Sequence, residues 1–470
     1  MQATLAERMA AFATGLRYED LGRDVAHEVK RVIIDSLGCA FGAWHEPPCV
    51  IARHVACTTS SVRGATLWGT RHLAPPDWAA FANGCLVRYL DYNDTYLSKE
   101  PAHPSDNIPA AIAAGQSARA GGRELIAAVV IAYEVQCRLC DAASIRARGW
   151  DHVTYGAFST ALAAARLLGL DENKTRHAVG IAGVASAALR QSRVGELSHW
   201  KGAAFANAAR HGVFAAMLAA EGMTGPSPIF EGEKGFELLV SGPLDSIGGP
   251  FAADARGVIP DDGFMIRKSC IKFWPAEYHA QSAIAAALQL RQQLGITGSG
   301  EDAIDAIDSI VVESHDAAVD IIGSEPQKWL PNSRETADHS LPYIVAAALV
   351  DGQITSRQFA RQRFTDPKLL DLVRRVKVLR NADLSSLYPK SIANMVTVRT
   401  TDGRTATARV DDPPGHSNNP LTDAQLLAKY HSLADPVLGV RRAQEAADWV
   451  WHLDEVEDIS QLMPLIEVKL

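Results

Sequence analysis

Ionisable residues gather at loop–helix junctions along this chain. One stretch runs from Asp91 through Asp94, Thr95 and His103 to Asn107. Pro101 and Pro104 forbid a continuous helix there. A histidine between prolines is held rigidly and stays reachable. The same residues also make a capped turn, because Asp91, Asp94 and Ser105 are all good cap formers. A second stretch, Gly149-Trp150-Asp151-His152-Val153-Thr154, directly precedes a helical pattern. A histidine at a helix N-terminus tends to be neutral, hence able to act as a base. Its plainer role is that of a cap residue.

Further on, Arg190-Gln191-Ser192-Arg193 leads to His199-Trp200-Lys201-Gly202 at another helix start. A lysine at that end opposes the helix dipole unless an anion is present, although a solvated lysine is the commoner case. The stretch from Lys268 through Lys272, Glu277 and His279 to Gln281 falls at a domain junction, where clefts form. Asp338-His339-Ser340 adds one more histidine at a helix cap. Together these are histidines, two lysines and carboxylates. The set suits acid–base chemistry without a cofactor, on a small molecule rich in carboxylates.

Other chemistries find no starting point. The Gly-x-Gly-x-x-Gly and Walker loops that cradle nucleotide phosphates are absent. So are His-Glu-x-x-His and Gly-x-Ser-x-Gly. Cys137-Arg138-Leu139-Cys140 lies inside a helical pattern and reads as two packed thiols rather than a zinc or redox motif. The chain's seven cysteines are odd in number and sit in apolar contexts, as suits a reducing compartment. Lys and Arg number 46 against 54 Asp and Glu, a net charge of −8 with no cationic block. Nucleic-acid binding, which needs clustered cations, is not expected. An anionic substrate would need a local cationic pocket on an otherwise repelling molecule. The longest strongly apolar run, Leu125 to Tyr133, is about half the ~18 residues of a membrane span. Glu7 and Arg8 interrupt the N-terminal stretch, so no secretory signal is expected and the cytoplasm is the default location.

The elements that must position these residues are mainly helices. Apolar spacing predicts helices over 25–37, with Asp24 as cap and Gly38 as stop, and over 124–145, 155–168, 173–189 (capped by Asp171) and 203–220. After Ile266 the character changes. A helix is expected over 277–294, strands over 306–313 and 373–379, and a hairpin of 395–400 with 404–410 around Thr401-Asp402-Gly403. Helices such as 340–349 lie between, and the helical pattern returns from Thr422. The fold class is therefore mainly α with an α+β domain. A large helical domain spans 1–267 and is completed by 415–470, and a smaller α+β lid domain spans 268–414.

These residues carry a resemblance. Asp91-Tyr92-Asn93-Asp94-Thr95, His103-Pro104-Ser105-Asp106-Asn107, Asp151-His152-Val153, Trp200-Lys201-Gly202, Phe230 to Phe236, Lys272 to Gln281 and Asp338 to Pro342 together resemble the MmgE/PrpD family. That family includes 2-methylcitrate dehydratase and cis-aconitate decarboxylase. The resemblance covers nearly the whole chain and implies a two-domain homodimer with the active site between a helical domain and a lid. It implies active-site roles for Asp91, Thr95, His103, Lys201 and Lys272, with His152 nearby. The spacing from Thr95 to His103 is similar to that of the dehydratases. Trp274 departs from the pattern, where a smaller residue is expected, and bears on substrate choice. The expectation is a cofactor-free and metal-free dehydratase of a tricarboxylic hydroxy acid. His103 would be the principal acid/base residue, and Asp91 or His152 would supply the second proton transfer. Thr95, Lys201 and Lys272 would bind the substrate. Decarboxylation of cis-aconitate, another polycarboxylate reaction and plain carboxylate binding remain as alternatives.

Overall fold

A computed structural model of the chain describes residues 3–195, 197–255, 257–298 and 300–469. Its contacts divide the chain into two compact units. One comprises 1–195, 199–269 and 422–470, and the other 196–198 and 270–421.

The first unit is helical. Its elements are α1 (Leu5–Gly15), α2 (Arg23–Gly42), α3 (Pro47–Ala56), α4 (Pro76–Tyr89), α5 (Ile108–Ala118), α6 (Gly122–Ala142), α7 (Thr154–Leu167), α8 (Glu172–Ala185) and α9 (Trp200–Ala220). Two C-terminal helices, Asp423–Leu438 and Val440–Trp451, complete it. In α2 the predicted apolar residues Val25, Val29, Val32, Ile33 and Leu37 are all buried. The predicted ends differ. Gly22 rather than Asp24 caps the helix, and it runs through Gly38 to Gly42. Gly38 is a packing residue, since a Cβ there would lie 3.2 Å from the Cα of Tyr430. The same economy joins α7 to α9. A Cβ on Gly212 would meet the Ala157 carbonyl at 2.8 Å, and one on Gly156 would meet the Phe205 ring at 2.4 Å.

Asp171 caps α8 as expected, accepting the Lys174 amide at 2.8 Å. The helix stops at Ala185, four residues short of the predicted end. Beyond it the chain bonds to the 149–151 loop instead: Asp151 N–H donates to Ala188 O at 2.8 Å and Arg190 N–H to Gly149 O at 3.0 Å. The described residues of 223–269 hold only short 3₁₀ turns and one π turn, within the span assigned to the helical domain. Gly225, Pro226, Pro228, Gly242, Pro243, Gly248, Gly249 and Pro250 break any helical run. A two-residue hairpin, β1 (Ala65–Thr66) with β2 (Leu73–Ala74), was also not foreseen.

The second unit holds a four-stranded sheet of β3 (Ile307–Ser314), β4 (Val376–Arg380), β5 (Asn394–Thr400) and β6 (Thr405–Val410), in the order β4-β3-β5-β6. The β3–β4 pair is parallel and the other two are antiparallel. Thr401-Asp402-Gly403 turns the β5–β6 hairpin, with Gly403 at φ 91°. Val373, predicted within a strand, ends the helix Pro367–Val373. The predicted helix 277–294 is a 3₁₀ turn, Tyr278–Ala280, followed by α10 (Gln281–Gln293). It starts late because the Glu277 carboxylate accepts the His279 amide at 2.7 Å. Apolar residues of α10, of the helix Leu341–Asp351 and of the sheet form one core. Trp274 belongs to it, set edge-on to Phe273.

All seven cysteines are free thiols and all but Cys57 are buried. Burial pushes the Cys137 and Cys140 thiols well above their ordinary pKa. No helix among the described residues is long and apolar enough to cross a membrane.

Candidate active site

Helix α4 ends at Tyr89, and two residues later Asp91 adopts the left-handed conformation, φ 52°. Few residues other than glycine accept it, and Asp is one of them. The turn buries the Asp91 carboxylate between two cations. Arg88 Nη1 donates to Oδ1, and Lys201 Nζ lies 3.8 Å from Oδ2. Lys201 stands in the first turn of α9 and is 6% exposed. The anion that balances a cation at this helix end is therefore built into the chain.

From Asp91 the chain runs to Thr95, makes an excursion and returns. Backbone bonds between Tyr96 and Ala102, at 2.8 and 2.9 Å, close the excursion. His103 comes back beside Thr95, and Pro104 opens a 3₁₀ turn (Pro104–Asn107) that runs into α5. His103 Nδ1 lies 2.7 Å from the Asp94 carbonyl and 3.2 Å from Thr95 Oγ1. A carbonyl can only accept, so Nδ1 carries a proton and Nε2 is the nitrogen left to gain or lose one. The Thr95 hydroxyl proton is then available to another acceptor.

Asp94 is a brace. Its carboxylate accepts the Ser105 amide at 2.9 Å and the Tyr133 hydroxyl at 2.7 Å, and burial pushes its pKa up to about 6. Asp106 is raised to about 7 by burial, against the pull of Arg88, and accepts from Asn93 at 2.7 Å. The turn reading holds for Asp94, whose carboxylate takes an amide of the 104–107 turn, whereas Ser105, expected as a cap, caps no helix and accepts from Asn93 at 2.9 Å.

His152 precedes α7 and is buried. Its Nδ1 lies 2.9 Å from Asp151 Oδ1, which fixes Nδ1 as the donor. Its Nε2 is buried without a hydrogen-bond partner among the described residues. Burial lowers the pKa of the ring despite the adjacent carboxylate, so His152 is neutral near pH 7. Burial would raise the Asp151 carboxyl, but Arg193 and His152 hold it well below the usual range. The His103 and His152 ring centroids are 6.0 Å apart. Two imidazoles 6.0 Å apart, each with Nε2 left to exchange a proton, are the equipment for moving two protons.

Lys272 lies in the second unit and is 1% exposed. His279 packs there against His315 and Tyr388, at centroid distances of 5.0 and 5.6 Å. His339 Nδ1 lies 2.6 Å from Asp338 Oδ1. Among the described residues no group of three or more His, Cys, Asp or Glu is arranged to hold a metal ion. Sequence reasoning missed Arg88, which looks like an ordinary cation in the last turn of a helix. It also gave Arg193 no role, although Arg193 lies in a stretch that drew notice.

The fold agrees with comparisons to known proteins. The MmgE/PrpD N-terminal domain matches residues 7–246 and the MmgE/PrpD C-terminal domain matches residues 274–454. The 2-methylcitrate dehydratase of Cupriavidus necator is 30% identical over 437 residues, covering 88% of this chain and 86% of that one. The 2-methylcitrate dehydratase of Escherichia coli K12 is 28% identical, covering 84% and 82%. The cis-aconitate decarboxylase of Mus musculus is 27% identical, covering 99% and 94%. The chain belongs to the MmgE/PrpD family, and it is an enzyme of the hydro-lyase type.

Proposed function

We propose that the enzyme dehydrates a tricarboxylic hydroxy acid without a cofactor, converting 2-methylcitrate to 2-methyl-cis-aconitate. The observation that carries this reading is the pair of imidazoles, 6.0 Å apart, each with Nδ1 committed to an acceptor and Nε2 left to exchange a proton. Elimination needs a base for the proton next to a carboxylate and an acid for the departing hydroxyl. His152, neutral through burial, is suited to take the carbon-bound proton on Nε2. His103, only half-buried, is suited to enter the cycle protonated and give its Nε2 proton to the hydroxyl, which leaves as water while the double bond forms. Negative charge grows on the carboxylate flanking the lost proton, and the Lys201 ammonium stabilises it. Thr95 donates its hydroxyl proton to a substrate oxygen. Asp91 holds Lys201. Lys272 is a further carboxylate ligand on the family resemblance alone. A homodimer, a cytoplasmic location and a place in propionate catabolism belong to the same proposal.

The test is an assay of chelator-treated protein with 2-methylcitrate, citrate and cis-aconitate, following alkene absorbance and carbon dioxide together. Alkene from 2-methylcitrate without carbon dioxide is expected. Replacing His103 by Asn should lower turnover by ~10²–10⁴-fold, and a near-wild-type rate in the folded variant overturns its role. Carbon dioxide from cis-aconitate would favour the second reading, which the near-complete coverage by the mouse decarboxylase supports.

A further inference from the structure

Arg193 reaches two parts of the site from a single guanidinium plane. Its Nε donates to Asp151 Oδ2 at 2.9 Å, and its Nη1 donates to the backbone carbonyl of Lys201 at 3.1 Å. Asp151 is fully buried, and its other oxygen holds His152 Nδ1 at 2.9 Å. Ser192, the neighbour of Arg193, donates its hydroxyl to the same Oδ2. These contacts fix the loop before α7, which carries His152, against the first turn of α9, which carries Lys201. The bonding of 186–190 to 149–151, which ends α8 early, delivers Arg193 to this place.

We propose that Arg193 is a positioning residue, which through Asp151 aims the His152 imidazole and through the Lys201 carbonyl sets that imidazole against the lysine. The role of His152 in turnover rests on the proposed function, but the relay itself does not. Two consequences follow from the chemistry. First, a carboxylate with both oxygens engaged cannot swing, so His152 keeps Nδ1–H and presents Nε2. Second, the guanidinium charge stands behind the carboxylate and opposes protonation of the ring. The other charged or titratable groups facing His152 are Asp151 on its own loop, Glu100 and, across 6.0 Å, His103. Glu100 is anchored elsewhere, accepting the Arg146 amide at 2.9 Å and the Ser144 hydroxyl at 3.0 Å. Ser192 still holds Asp151 Oδ2 when Arg193 is replaced, so Arg193 can be neutralised without removing either carboxylate.

The experiment compares the full-length protein with Arg193→Gln and Arg193→Lys. Imidazole ¹⁵N shifts are followed against pH, with His152 assigned by loss of its signal in His152→Asn. In Arg193→Gln the His152 titration should move upward by about one pH unit. The acidic limb of the kcat/KM profile should move with it, so the defect grows toward about tenfold at the acidic end of the profile and shrinks toward pH 8. Arg193→Lys keeps the charge but not the second contact. It should leave the titration within a few tenths of a unit and lower kcat and kcat/KM by the same factor at every pH. If Arg193→Gln does not fold, the lysine variant decides, and an unchanged kcat/KM overturns the proposal. A folded Arg193→Gln protein with an unmoved His152 titration, or with a uniform loss of rate at every pH, also overturns it. The titration needs no substrate, so it reads the relay even if 2-methylcitrate is not turned over.

Discussion

At Asp91 the backbone and the chemistry make separate demands. The left-handed φ of 52° suits Asp, Asn or Gly, and the two flanking cations require a negative charge. Asp91→Asn should therefore keep the turn, whereas Asp91→Ala should cost about 1 kcal/mol more in stability. Urea unfolding of the two variants measures the difference. Both should turn over slowly, because Lys201 then loses the Asp91 charge beside it. How much of the site the sequence revealed depends on the kind of residue. His103 was readable because prolines on both sides announced a rigid loop. Arg88 was not, because a cation in the last turn of a helix is ordinary. Asp94 looked as chemical as Asp91. Only the direction of its carboxylate, toward Ser105 and Tyr133, separates the two.

Among the elements, glycines set how closely helices approach. Gly212→Ala would drive a Cβ into the backbone of α7, so a loss of ~1–3 kcal/mol is expected, read as a lower denaturation midpoint. The spacing of apolar residues revealed most helices, but a glycine's role as stop or as contact depends on a distant partner. For Gly38 that partner is Tyr430, far along the chain. The end of α8 escaped for the same reason, since backbone pairing with 149–151 competes with the helix. In the second unit, burial and then the neighbouring His279 lower the His315 pKa to about 3. The unfolded chain binds that proton near pH 6.5, so it holds more protons between pH 6.5 and 3 and stability falls as pH falls through this window. From pH 7 to pH 5 the loss is about 2 kcal/mol. His315 also caps the turn after β3, accepting the Ala318 amide at 3.4 Å. His315→Asn keeps an acceptor there and removes the titration. Its stability should fall less steeply over that pH range than the wild type's. An equal slope in both proteins would mean that His315 does not titrate in this way.

Over the whole molecule, the order of helices and strands was readable because hydrophobic period changes from 3.6 to 2 near the unit boundary. The irregular 223–269 segment was not, because its glycines and prolines define where helices fail but not what replaces them. A net charge of −8 leaves a polyanionic substrate dependent on local cations. The proposed proton transfers use only groups of the chain itself, so turnover should survive exhaustive chelation, and a loss restored by a divalent ion would contradict the proposed chemistry. The distribution of thiols has a practical use. Cys57 is the one exposed cysteine and the other six are buried. A maleimide should therefore attach once to each folded chain and seven times after denaturation. Label count by intact mass then becomes a gauge of foldedness for every variant named above, independent of any substrate. It also gives a single point for a fluorophore, placed just beyond α3 and far in sequence from either histidine of the site.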